Sequence, residues 1–287
     1  MNKADMYMHL SLKTILKEGH WDHNPRPKWS DGTPAHTLSI NGQFHQYDIS
    51  KNEFPITTLR PINFIKAIGE IIWIYQDGSN NLDVLAEKYG VHWWDNWDIG
   101  DRTIGSCYGA TVSRHNMMKK LLDGIKNDPY SRPHIINLWQ EEDFKDLHSL
   151  KPCCYQVQFL VRDKYLDMIL YQRSSDWLVA GNINQIQYVA LLMMVAHHCG
   201  YEPGMFYHMI ANQQIYDRHL ENAEEMLKRC DRFKVHELSI IDYELLPPDP
   251  VLVFNPDKRD FWSYKVDDFQ LLNYEPMAPQ LEFEVAV

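Results

Sequence analysis

A cysteine attacks carbon only as its thiolate, and a thiolate needs a cation nearby. Both parts are present in the middle of the chain. Pro152-Cys153-Cys154 opens a run with strand character, Tyr155 to Val161, and Gln172-Arg173-Ser174 closes the next one, Leu166 to Gln172. If these runs pair as antiparallel neighbours, Arg173 comes back to Cys153. A cysteine at a strand entry is, by itself, more often packing than chemistry. Glu70 stands inside a nearly all-apolar stretch. A carboxylate there is either paired or keeps its proton to unusually high pH and can pass it on. A salt bridge or a helix-edge position is the plainer reading. The cluster Trp93-Trp94-Asp95-Asn96-Trp97 offers faces on which a flat heterocycle could stack, or simply core packing. Asn184 follows Ala180-Gly181-Asn182. Its amide can donate to and accept from one edge of a heterocycle, or it can cap a helix.

The elements that would carry these groups follow from hydrophobic period. Leu10 to Lys17 reads as a short helix. Phe64, Ile65, Ile68, Ile71, Ile72 and Tyr75 recur at helical spacing, so Ile62 to Gln76 is a helix, ended by Asp77-Gly78. Asn116 to Lys126, Asn184 to His198 and Asp217 to Cys230 read as further helices. His134 to Trp139, Tyr155 to Val161, Leu166 to Gln172 and Phe206 to Ile215 read as strands, with shorter ones at Val251 to Phe254 and Phe269 to Leu272. Helices and strands are interspersed without regular alternation, which points to an α+β fold. There is no repeat, low-complexity tract or linker, so residues 1–287 are expected to form a single domain. No GxGxxG or P-loop is present.

The composition is 45% hydrophobic and 23% charged, with nine Trp and sixteen Tyr, as in a globular protein. The formal charge of −11 repels nucleic acid and anionic membrane, and neither is expected as a partner. No stretch reads as the roughly 20 apolar residues of a membrane span, and Met1 to His20 lacks a signal-peptide core. Five irregularly spaced cysteines without a CxxC pair suggest reduced thiols, no metal and a cytoplasmic location.

Taken in order, these segments resemble the thymidylate synthase family across nearly the whole chain. Asp31-Gly32-Thr33-Pro34-Ala35-His36-Thr37-Leu38-Ser39 is similar to the opening loop of the variety found in bacilli, clostridia and their phages. It is followed by Pro55-Ile56-Thr57-Thr58-Leu59-Arg60, Glu70-Ile71-Ile72-Trp73, Trp94-Asp95-Asn96-Trp97 and Pro129-Tyr130-Ser131-Arg132. Pro152-Cys153, Tyr171-Gln172-Arg173-Ser174-Ser175-Asp176 and the terminal Glu284-Val285-Ala286-Val287 complete the match.

The resemblance implies a mixed sheet packed with helices, with one sheet face forming a homodimer interface. It implies transfer of one carbon from 5,10-methylenetetrahydrofolate to C5 of a pyrimidine nucleoside monophosphate, dUMP becoming dTMP with release of dihydrofolate. On that basis Cys153 attacks C6, Glu70 handles protons, Tyr108 assists loss of the C5 proton, and Asn184 reads N3 and O4. Arg173 and Ser174 would bind phosphate, with Arg132 supplied across the dimer so that active sites are shared. Tyr216 and Gln214 would face the sugar, and Arg26, or else Lys28, is a candidate phosphate ligand. Asp176, Trp93, Trp94, Trp97, Val285 and Val287 would contact the reduced folate, and Asp176 also borders the nucleotide.

Some positions depart from the family pattern. Cys154 replaces a frequent His, Pro133 the second arginine of a pair, Gln214 a His, Asn212 an Asp, and Gly32 an opening-loop arginine. Because these changes gather around phosphate and sugar, a 5-hydroxymethylase acting on dUMP or on a ribonucleotide such as UMP or CMP is the alternative expectation. Trp94 and Leu150, which would shield the intermediate from water, favour methylation. The intact Cys153 and Glu70 speak against a member kept only for binding.

Overall fold

Asn2 starts the first helix. Its side chain accepts from the Asp5 N–H at 2.8 Å, and the Asp5 carboxylate accepts the Asn2 N–H at 3.2 Å, a reciprocal cap. Helix α1 therefore runs Lys3–Glu18 and begins seven residues before the expected start at Leu10. Its buried stripe, Ala4, Met8, Leu12 and Ile15, has helical spacing throughout. Buried Asp5 also accepts from Thr57 Oγ1 and from the N–H and Oγ1 of Thr58, tying the helix to the loop ahead of the next one. The computed structural model describes residues 2–145, 150–231 and 249–287.

Among the described residues, the main sheet has seven strands. They are β1 (His20–Trp21), β2 (Thr37–Asp48), β3 (Ile135–Asn137), β4 (Cys154–Arg162), β5 (Tyr165–Gln172), β6 (Ser175–Asp176) and β7 (Glu202–Tyr216). The order is β1-β2-β7-β5-β4-β3, with β6 beside the end of β7. β7 is parallel to β5 and β6 and antiparallel to β2, so the sheet is mixed. β4 and β5 are antiparallel neighbours, pairing Cys154 with Gln172. The expected strands are present, although His134 to Trp139 shortens to β3 and the fourth lengthens to β7. β2 falls where no strand was expected. Asn41-Gly42-Gln43 breaks its pattern, with Gly42 at φ +69°, and polar Thr37 and His45 take buried positions.

Helix α2 (Phe64–Tyr75) is capped by Asn63, whose side chain accepts the Lys66 N–H at 3.1 Å. It packs against α6 (Asn182–Cys199), the central helix, which is buried over most of its length. Helix α3 (Leu82–Tyr89), not expected from the pattern, lies against α2 at Gly69, where a Cβ would stand 2.8 Å from Tyr89 Cβ. Helices α4 (Gly109–Arg114), α5 (Met117–Asn127) and α7 (Leu220–Asp231) and a two-stranded sheet, β8 (Val251–Phe254) with β9 (Phe269–Leu272), complete the fold. A π-helical turn, Trp177–Gly181, leads into α6. Contrary to the sequence expectation, the combined Trp177–Cys199 segment is long and apolar enough to cross a membrane by length and composition; 72% of its most apolar window is buried within the fold, which makes it a core helix.

Candidate active site

Antiparallel pairing of β4 and β5 brings Arg173 to Cys153, as their positions in the chain imply. The Arg173 N–H donates to the Cys153 carbonyl at 2.9 Å, and a guanidinium nitrogen lies 3.6 Å from Cys153 Sγ. The guanidinium is held by the carbonyls of Pro152 at 3.0 Å and Lys151 at 2.9 Å. Burial pushes the Cys153 thiol above its ordinary pKa, while Arg173, Tyr108 and Arg26 pull it down. A thiolate here therefore depends on the gathered positive charge.

Tyr108 precedes α4 with φ 54° and ψ −117°, a conformation that non-glycine residues rarely hold and that costs about 1–3 kcal/mol. Its hydroxyl accepts the Cys153 N–H at 3.1 Å, and its ring meets Trp94 edge-on at 5.0 Å. Burial drives its own pKa well up, so the hydroxyl keeps its proton.

Glu70 projects from the buried face of α2 and is 5% exposed. No cation pairs with it among the described ion pairs, and burial raises its carboxyl to about 7. Trp94, Trp93 and Gln187 oppose that rise. The Trp93 indole N–H donates to the carboxylate. The Trp94 indole N–H and the Gln187 amide N–H lie near enough to lower the pKa but complete no hydrogen bond. They leave donors directed at the space around a carboxyl that is half ionised near neutrality. Asp176 is similar: burial raises it to about 7, opposed by the backbone N–H groups of Val179 and Leu178 and by Arg60.

Asn184 lies in the first turn of α6 but does not cap it. Its Oδ1 accepts from Gln172 at 3.1 Å and its Nδ2 donates to Gln187 Oε1 at 3.1 Å. The burial parity of β7 reverses between Ile210 and Gln213, where its parallel neighbour changes from β5 to β6. The reversal turns Gln214 and Tyr216 toward the cavity, while His208 and Ile210 stay in the interior.

The chain terminus closes one side. Val287 and Lys28 exchange backbone hydrogen bonds of 2.7 and 3.0 Å. Glu284 accepts from Ser30 Oγ at 2.6 Å and from Arg218 at 2.8 Å, and Arg218 also donates to Asp31 at 2.6 Å. Hydrogen bonds from Ser30 and then Arg218 hold the Glu284 carboxyl below its ordinary range.

These groups line one cavity of about 570 Å³. Cys153, Glu70, Tyr108, Asn184, Arg173, Ser174, Asp176, Gln214, Tyr216, Arg26, Trp93, Trp94, Trp97, Val285 and Val287 all face it. Arg132 does not: it is exposed in the segment ahead of β3 and is not among the residues lining the cavity of its own chain. Asp22, Thr37, Gln172 and Gln187 also line the cavity and were not singled out from the sequence. Asp22 accepts from the N–H and Oγ1 of Thr37 at 3.1 and 2.9 Å. Among the described residues, no group of three or more His, Cys, Asp or Glu is disposed to hold a metal ion.

The family model for thymidylate synthase matches residues 5–287. This chain belongs to the thymidylate synthase family. It is 46% identical to the thymidylate synthase of Streptococcus gordonii and 45% identical to that of Lactococcus lactis, each over 293 aligned positions covering all of both chains. Among solved structures it is similar to thermostable thymidylate synthase A from Bacillus subtilis, with a TM-score of 0.86, 34% identity and 99% of each chain covered. In this thymidylate synthase fold the apolar wall (Trp93, Trp97, Leu150, Ile183) and the buried Asp176 carboxyl have the chemistry to receive a flat heteroaromatic ring with N–H donors.

Proposed function

We propose that the enzyme methylates dUMP at C5, using 5,10-methylenetetrahydrofolate and yielding dTMP and dihydrofolate. One observation carries the reading: Cys153 Sγ, 3.6 Å from the Arg173 guanidinium, shares a cavity with a Glu70 carboxyl whose pKa is about 7. The folate supplies the carbon and then the hydride. The protein's part is as follows. Cys153 thiolate adds to C6 of the pyrimidine, and the electron pair moves through C5 to O4. Asn184 holds N3–H and O4, and Glu70, through its shared proton, neutralises charge growing on O4. C5 can then form its bond to the one-carbon unit. The C5 proton then passes to a water held by the Tyr108 hydroxyl, which burial keeps protonated beside Cys153. The electron pair left at C5 expels the folate nitrogen from the one-carbon unit and leaves an exocyclic methylene. Hydride from the tetrahydrofolate so released adds to that methylene, the C5–C6 double bond re-forms, and Cys153 leaves as thiolate, giving dTMP and dihydrofolate.

Phosphate binding falls to Arg173 and Ser174, with Arg26 in place of the arginine that Gly32 does not supply. A bidentate guanidinium suits a dianion. Gln214 and Tyr216 face the deoxyribose. Trp93, Trp97, Asp176, Val285 and Val287 form the folate side. Methyl is favoured over hydroxymethyl by the wall of Trp94 and Leu150 and by the paired terminus, which together keep water from the intermediate.

We further infer one catalytic domain over residues 1–287 working as a homodimer. Exposed Phe44 and Met209 sit opposite each other on β2 and β7, and Arg132 is exposed and does not line its own cavity, as expected of a residue lent to a partner. The five cysteines are free thiols, consistent with a cytoplasmic enzyme. The test is incubation with dUMP and methylenetetrahydrofolate, followed by product mass and the absorbance of dihydrofolate. dTMP with equimolar dihydrofolate is expected, and none from Cys153→Ser. A hydroxymethylated product without dihydrofolate would overturn the reading.

A further inference from the structure

Behind the cavity wall, a chain of buried polar side chains ends on Asn184. Donor and acceptor can be worked along it from its fixed ends. The Thr57 backbone N–H can only donate, so the Asn182 atom 3.0 Å away is Oδ1. Asn182 Nδ2 then faces Gln185 Oε1 at 3.1 Å, which the Tyr47 hydroxyl also approaches at 3.5 Å. Gln185 Nε2 is left to donate to two imidazoles, His45 Nδ1 at 3.3 Å and His208 Nδ1 at 3.2 Å. His208 must carry its hydrogen on Nε2, which donates to Gln172 Oε1 at 2.8 Å. Gln172 Nε2 donates to Asn184 Oδ1 at 3.1 Å and to the Ser174 carbonyl at 2.9 Å. That carbonyl can only accept, so the far end demands the same polarity independently.

We propose that this relay, with His208 as its central positioning residue, makes the site select uracil over cytosine by locking the Asn184 amide in one orientation. The inference rests on the reading above that Asn184 contacts the base edge. With Oδ1 turned to Gln172 and Nδ2 to Gln187, Asn184 keeps one lone pair and one hydrogen for the cavity. Uracil answers them with N3–H and O4. Cytosine presents an acceptor at N3 and an amino donor at C4, the reverse order. An inverted Asn184 would set Nδ2 against Gln172 Nε2. Inverting Gln172 as well would set Nε2 against His208 Nε2–H and Oε1 against the Ser174 carbonyl. Each reversal passes the mismatch along until it reaches Thr57, whose N–H cannot turn.

The members are deep enough for such mismatches to matter. Thr57, Gln185 and His208 are 0% exposed, Asn182 and Gln172 2% and His45 3%. Gln185 spends both hydrogens and both lone pairs inside the relay. Burial, helped by His45, depresses the His208 pKa well below its ordinary value and keeps the imidazole neutral.

The test is calorimetric titration of the full-length enzyme and of His208→Leu and His208→Gln with dUMP and with dCMP. Wild type should prefer dUMP. His208→Leu should narrow that preference about tenfold, the scale of one hydrogen bond. His208→Gln offers an amide oxygen toward Gln185 and an NH2 toward Gln172, and should restore most of it. A merely structural role would weaken both nucleotides alike; an unchanged ratio in His208→Leu overturns the relay while leaving the base-reading role of Asn184 intact. Equal binding of dUMP and dCMP by wild type would overturn that role, and the relay with it. Should His208→Leu not fold, ¹⁵N spectra of the wild-type imidazoles decide. The Nε2–H tautomer of His208 is expected at neutral pH, and an Nδ1–H tautomer or a cation would refute the relay.

Discussion

Replacing Glu70 by glutamine should remove most activity and yet stabilise the folded protein above neutral pH. Glu70 is buried with no paired cation among the described residues, and its carboxyl is raised from 4.5 to about 7. Below pH 4.5 both the folded and the unfolded chain hold the proton, and the residue adds nothing that depends on pH. Between 4.5 and 7 the unfolded chain releases it and the folded chain does not. Folded stability therefore falls as pH rises, by about 1.4 kcal/mol per unit. Above 7 both forms are ionised, and the cost levels off at about 3 kcal/mol. Glutamine never pays it. The Trp93 indole N–H, which donates to the carboxylate, can donate equally to an amide oxygen, so the variant need not orphan a donor.

The assay is urea unfolding of wild type and Glu70→Gln from about pH 4 to about pH 9 at one protein concentration. The difference between the two should climb in favour of the variant between pH 4.5 and 7 and then stay flat. Asp176, raised to about 7 by its own burial, is common to both proteins and drops out of the difference. kcat should fall by about 10²–10⁴, the usual worth of a positioned proton carrier. A stability difference that does not change with pH would refute the reasoning, because it would mean that the folded carboxyl ionises as it does in the unfolded chain.

Deleting Val287 removes both backbone bonds to Lys28. kcat should drop about tenfold or more, with a smaller change in dUMP affinity, which steady-state kinetics beside calorimetry will separate. If Arg132 serves the neighbouring site, Arg132→Ala and Cys153→Ser, each inactive or nearly so, should complement when mixed after subunit exchange. Recovery should approach about one quarter of wild-type turnover, since half the dimers are mixed and each mixed dimer has one whole site. No recovery would place Arg132 outside the shared site.

The reacting groups were legible because they follow local rules. Cys153 and Arg173 flank two consecutive strands with a tight connection, and antiparallel pairing leaves little choice about which ends meet. Glu70 stood out because eleven neighbours in α2 include only one other charge, Lys66; the period alone left a salt bridge or a helix-edge position as the plainer reading, and the fold shows the carboxyl buried. Asn184 was legible as an amide able to read a heterocycle edge, with a helix cap as the alternative, and its surroundings correct the capping alternative: inside α6 its amide bonds to Gln172 and Gln187. Arg132 was legible as a motif residue, but its absence from the lining of its own chain's cavity is a property of the fold.

Much of what escaped the sequence shares one cause. Pattern reading assigns polar residues to the surface, and this protein buries several of them on purpose-built partners. His45 sits on the inner face of β2, so the strand lost its alternation and was not expected. Gln172 and His208 are inward on β5 and β7, where they look like ordinary polar interruptions. Asn182 and Gln185 on α6 weaken the apolar period of a helix that is buried almost all round. Yet these are the residues whose hydrogen bonds run from Thr57 to Asn184. A buried amide or imidazole is tolerable only when its donors and acceptors are met, and meeting them fixes which way each one faces. The same requirement that hid the strand from a hydrophobic pattern thus gives the base-facing amide its single orientation.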